Sequence, residues 1–80
     1  MNEVDSYKEK WLILHNRVVA LGAAQDAITA AQKACEGERH VITQLGAARS
    51  IVGSVLQPYR MQCRVLAGQI EKLTGSLPTT

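Results

Sequence analysis

Apolar residues recur along the first half of the chain at alternating steps of three and four: Val4, Tyr7, Trp11, Leu14, Val18, Leu21, then Ile28 and Cys35. That spacing keeps them on one face of an α-helix. Gln25 and Gln32 occupy the two seam positions that lack an apolar side chain. Around them lie Ala23, Ala24, Ala27, Ala30, Ala31 and Ala34, the best helix former, with no proline among them. Ser6 and Glu9 form an S-x-x-E capping box, which predicts a helix over about 6–35 whose first turn opens at Tyr7.

Glu36, Gly37, Glu38 and Arg39 then interrupt the apolar pattern. Glycine can adopt the left-handed conformation that ends a helix. Beyond it Ile42, Leu45, Val52, Leu56, Tyr59, Cys63, Leu66, Ile70 and Leu73 predict a second helix over about 38–74, stopped by Thr74-Gly75 with Pro78 close behind. Pro58 removes one helix hydrogen bond from its interior and predicts a kink or a break. The heptad spacing of Leu45, Val52, Tyr59, Leu66 and Leu73 passes it without a phase change, which favours the kink. At Gly37 the companion seam does shift, from three residues before the main series to three after it, which favours a hairpin over one continuous rod. The expected fold is therefore all-α: an antiparallel helical hairpin that assembles into a four-helix bundle, with a three-helix bundle as the alternative. Residues 1–75 form a single domain in this reading and 76–80 a flexible tail.

In such a hairpin Gly22 falls level with Gly53, and Ala27 and Ile28 with Gly46. Interior glycine costs a helix about 1 kcal/mol relative to alanine. These three positions therefore suggest close helix approach, a packed partner, or simple tolerance.

Composition narrows the class. Eighty residues make one small domain, and 46% hydrophobic content is too high for a disordered tail. Aromatics are 4%, with no Phe, so the core is aliphatic and Ala-rich. The net charge of +2 is uninformative, but its distribution is not: Arg39, Arg49, Arg60 and Arg64 lie in a stretch from Glu38 to Glu71 that has no acid between those ends. Counted at about 100° per residue, Arg49, Arg60 and Arg64 border one flank of the apolar stripe. Their stems can cover the seam while the guanidinium groups reach water, or they can meet an acidic or phosphate-bearing partner. Cys35 and Cys63 lack the spacing of a redox motif or a disulfide framework, which points to a reduced, cytoplasmic setting. The first ten residues, mixed in sign and carrying Glu3, Asp5 and Glu9, do not resemble a secretory leader, and no uncharged run approaches the roughly 20 residues of a membrane span.

Catalytic constellations are scarce. His15 and His40 have no carboxylate or nucleophile at helical spacing, and His15 falls beside Trp11 and Leu14 as a packed imidazole. Cys35, Glu36, Glu38 and His40 are a poor match for the four Cys/His ligands of a structural zinc site. Gly46 and Gly53 stand alone and form no phosphate loop. No cofactor, metal or catalytic residue is expected.

Two functional readings follow. In the first, the apolar stripe is wider than one hairpin can bury, because Leu12, Ile13, Val19, Val41, Ile51, Met61 and Val65 lie outside the seams. Monomers rarely expose such a patch. The chain then acts as a non-enzymatic adaptor, chaperone or antagonist that binds a protein partner or a second copy. The contact residues expected are Trp11, Leu14, Val18, Leu21, Val52, Tyr59 and Leu66, rimmed by Arg49, Arg60 and Arg64. In the second reading, residues 41–56 are a degenerate helix-turn-helix of a small DNA-binding regulator. Gly46 stands at the turn, Val41, Leu45, Ala47, Val52 and Val55 at the apolar positions, and Arg49 and Ser50 open the recognition helix. Ile42, where a small residue belongs, argues against it.

Overall fold

The computed structural model describes residues 3–79, so Met1, Asn2 and Thr80, the last residue of the expected tail, lie outside it. The described residues form two helices and no strand, α1 over Glu3–Ala34 and α2 over Arg39–Thr74, packed along each other as an antiparallel hairpin. The rod measures 55 × 18 × 18 Å.

α1 is already helical at Glu3, a turn before the start that the capping box at Ser6 and Glu9 implies. Ser6 lies inside the helix and caps nothing. Two local effects extend the first turn. Glu3 and Asp5 place negative charge near the positive end of the helix dipole. The Tyr7 hydroxyl donates to the Glu3 carboxylate at 3.0 Å, one turn back.

The turn is made as the glycine implies. The Cys35 N–H donates to the Ala31 carbonyl and the Glu38 N–H to that of Cys35, each at 3.0 Å, while Gly37 sits at φ +96°. The Ile42 N–H donates back to the Glu38 carbonyl, which starts α2 without a side-chain cap. At the far end Gly75 is left-handed, and its N–H reaches the Glu71 carbonyl at 2.7 Å.

α2 runs unbroken through Pro58. Proline has no N–H, so the Ser54 carbonyl loses its usual helix donor. The Ser54 hydroxyl donates to the Ser50 carbonyl at 3.1 Å in the same turn. α2 is also one helix through Gly46, which corrects the second reading of residues 41–56. A helix-turn-helix needs two helices crossing at the glycine, and here a single helix holds the residues on both sides. Gly46 lacks the positive φ that a turn would require; the positive-φ glycines are Gly37 and Gly75.

Among the described residues only Trp11, Leu56 and Ile70 are buried. Leu14, Val18, Leu21, Val52, Tyr59, Cys63 and Leu66 of the seam are half-buried between the helices, while Leu73, in the last turn of α2, is exposed. Two helices can hide only the facing strip of each, so the core is one side chain deep.

Candidate protein-binding surface

The inter-helix seam contains a polar device. Gln25 and Gln32, seven residues apart on α1, face Gly53 and Gly46, seven apart on α2. Gln25 Nε2 donates to the Arg49 carbonyl at 3.4 Å, and Gln32 Nε2 to the Ile42 carbonyl at 3.2 Å. In each case the accepting carbonyl lies four residues before the glycine, so the same arrangement occurs twice along the rod. A methyl group on Gly53 would stand 3.0 Å from Gln25 Nε2, and one on Gly46 would stand 3.5 Å from Gln32 Nε2. The two glycines make room for glutamine amides rather than for helix backbones. Gly22 has no neighbour within 4 Å of that position and makes no close approach.

This device divides the rod into two flanks. On one, Gln25, Gln32, Gly46, Arg49, Ser50 and Gly53 line a shallow polar cleft of about 280 Å³. Arg49, Arg60 and Arg64 are all exposed, and helical rotation of about 100° per residue carries Arg60 and Arg64 to the same side as Arg49. Toward the open end, Leu77, Pro78 and Thr79 cross this side and enclose about 250 Å³ with Trp11, Leu12 and Ile70. Trp11 also stacks on His15, ring centroids 4.7 Å apart and planes 20° from parallel.

The other flank is apolar. Ile13 and Leu14 of α1 face Met61, Val65 and Leu66 of α2 across a groove of about 550 Å³, with Lys10, Arg17 and Gln62 completing its lining. No carboxylate lines it. Arg17 is held over the Tyr59 ring, 5.5 Å from its centroid, a cation–π contact that keeps its stem along the groove wall. Met61 and Val65 are 60% and 61% exposed, and Ile51, higher on the same flank, 65%. Leu12, Val19, Val55, Leu73 and Leu77 are exposed as well.

The residues expected from sequence to meet a partner therefore separate into two sets. Trp11, Leu14, Val18, Leu21, Val52, Tyr59 and Leu66 lie on the seam and contribute to holding the hairpin together, with Leu14 and Leu66 also reaching the groove wall. Arg49, Arg60 and Arg64 project from the polar flank. The surface left apolar is made instead by Ile13, Ile51, Val55, Met61 and Val65. A heptad count marks these only as off-seam positions, because it does not tell which side of the seam a partner helix leaves open.

Titratable groups add little chemistry. Donation to the Glu3 carboxylate, and that group's negative charge, push the Tyr7 phenol above its ordinary value. Burial pushes the Cys63 thiol up, which makes it a poorer nucleophile. Among the described residues no group of three His, Cys, Asp or Glu side chains could hold a metal ion, and no helix is long and apolar enough to cross a membrane. No protein-family model, curated protein or solved structure matches the chain.

Proposed function

We propose that this chain is a non-enzymatic protein-binding module, a small helical adaptor, chaperone or antagonist that works by covering apolar helix surface with another polypeptide. The supporting observation is its surface area. The hairpin exposes 5810 Å², whereas a compact monomer of its 8.7 kDa would expose about 4,700 Å². The radius of gyration of 16.9 Å likewise exceeds the roughly 12 Å of a globule of this length. The excess of about 1,100 Å² is larger than the roughly 800 Å² each partner buries in a standard interface. Ile13, Ile51, Val55, Met61 and Val65 are among the exposed side chains, and water penalises such apolar surface at about 25 cal/mol per Å². A second hairpin laid on the first would complete a four-helix bundle. A bend at Pro58, where a backbone hydrogen bond is missing, would let α2 curve over its partner. Two unpaired cysteines fit a reducing compartment such as the cytoplasm.

Light scattering on the folded chain tests this, both for the isolated polypeptide and for material purified from the cells that make it. A species heavier than 8.7 kDa is expected in at least one preparation. A folded, monodisperse single copy in both would overturn the reading.

A further inference from the structure

We infer that the apolar groove seats an amphipathic helix of another protein, one whose apolar stripe is bordered along one edge by two carboxylates two helical turns apart. The inference rests on the protein-binding reading and names the chemistry of its partner.

Charge chooses the occupant. Lys10 and Arg17, seven residues apart on α1, line the groove one turn before and one turn after Ile13 and Leu14. At 1.5 Å per residue they stand about 10 Å apart along the rod, and seven residues return to nearly the same edge of a helix. A helix laid beside α1 repeats with the same period, so acids seven residues apart on it meet both cations at once. Among the described residues no carboxylate lines the groove, so neither cation finds a counter-ion in it. Arg17 is already held over the Tyr59 ring, which leaves the edge of its guanidinium for a carboxylate and lessens the freedom lost on binding. The opposite wall adds Met61, Gln62, Val65 and Leu66, none of them charged, so only one edge of the occupant needs acids. α2 as a whole carries five basic residues against one acid, Glu71, a field that draws an acidic segment and repels a basic one.

Two other occupants fit less well. A second copy lacks the charge pattern, since no two of the chain's seven acidic residues stand seven apart. A fatty acid brings one carboxylate for two separated cations, and a small ligand needs most of its surface enclosed. Ile13, Met61 and Val65, 49%, 60% and 61% exposed, wall an open groove of the kind that takes the apolar face of a helix.

A library of amphipathic helical peptides with a fixed leucine stripe and randomised polar positions, selected on the immobilised full chain, tests this. Selected peptides should carry Asp or Glu at two positions seven residues apart on one edge of the stripe, and their binding should weaken as salt rises. The double variant Lys10→Glu/Arg17→Glu, at two exposed positions, should weaken them by at least about 10-fold and, used as bait, select Lys or Arg at those same two positions. An unfolded variant cannot produce that swap. Val65→Asp should abolish binding of the original set, because it sets a carboxylate in the apolar contact. Val19→Ser, outside the groove at a residue 56% exposed, should leave it unchanged. Peptides without the acid pair, no enrichment at all, or a double variant that selects the same acids would overturn the inference. Saturable binding of oleate in place of any peptide selection would do the same. If the chain is recovered from its cells in a heavier complex that the double variant leaves intact, the acidic helix is overturned while the protein-binding function stands.

Discussion

Consider adding one methyl group to each of the two glycines that face the seam glutamines. Gly46→Ala and Gly53→Ala make the same chemical change in the same helix, and both remove the backbone cost of glycine, about 1 kcal/mol each. They differ in what the new methyl meets. At position 46 it would rest 3.5 Å from Gln32 Nε2, an ordinary contact, so the gain is kept. At position 53 it would stand 3.0 Å from Gln25 Nε2, and the amide must move. That movement stretches a hydrogen bond to the Arg49 carbonyl that is already 3.4 Å long. Losing such a bond costs about 0.5–1.5 kcal/mol. Gly46→Ala should therefore be about 1 kcal/mol more stable than the parent, raising Tm by roughly 4–8 °C. Gly53→Ala should fall within about 0.5 kcal/mol of the parent, because the two terms offset. Urea unfolding followed by far-UV circular dichroism at one fixed protein concentration measures both. In a Gln25→Ala background the obstruction is gone, and Gly53→Ala should recover its full helix gain. Equal stabilisation by both substitutions, unchanged by Gln25→Ala, would refute the seating of the glutamine amide over Gly53.

Leu56, 1% exposed, anchors the middle of the seam. Leu56→Ala should cost about 2–5 kcal/mol, enough to unfold much of the population in a thermal melt; a cost below 1 kcal/mol would mean the seam is loosely packed. Pro58 is exposed, so Pro58→Ala restores a donor for the Ser54 carbonyl with no packing lost. It should stabilise the hairpin by about 1–3 kcal/mol in the same urea assay, and a loss of stability would show that the proline shape is itself needed. The Tyr7 phenol should titrate above its ordinary value of 10.0 in an ultraviolet pH titration, and Glu3→Gln should bring it down. Because the folded value is raised, any stability from this contact is present below the unfolded phenol's pKa and lost as pH climbs through the folded one. No change on Glu3→Gln would remove the hydrogen bond as its cause.

Much of the fold can be read from residue order alone, because helices are decided locally. Alanine content, the three-and-four spacing and the two terminal glycines set both helices and the turn at Gly37, since each acts within about one turn of backbone. α1 starts a turn earlier than its capping box implies, for a related reason. The capping box at Ser6 is a valid local signal, but the carboxylates of Glu3 and Asp5 and the Glu3–Tyr7 bond let the helix extend past it. Periodicity also places Leu12, Ile13, Val19, Val41, Ile51, Met61 and Val65 off the seam; six of them are exposed, while Val41, close to the turn, is half-buried.

Tertiary structure alone decided how one helix is set against the other. Helical spacing fixes an angle about each axis but leaves the sliding register and the handedness of the pairing free. The register here is expressed in two hydrogen bonds, Gln25 to Arg49 and Gln32 to Ile42, whose partners lie 24 and 10 residues apart in the chain. Two glycines give those amides their space, a relation between positions that no local window contains. The same pairing turned the arginines and the crossing end of the chain to one side, and left Ile13, Met61 and Val65 open to water on the other.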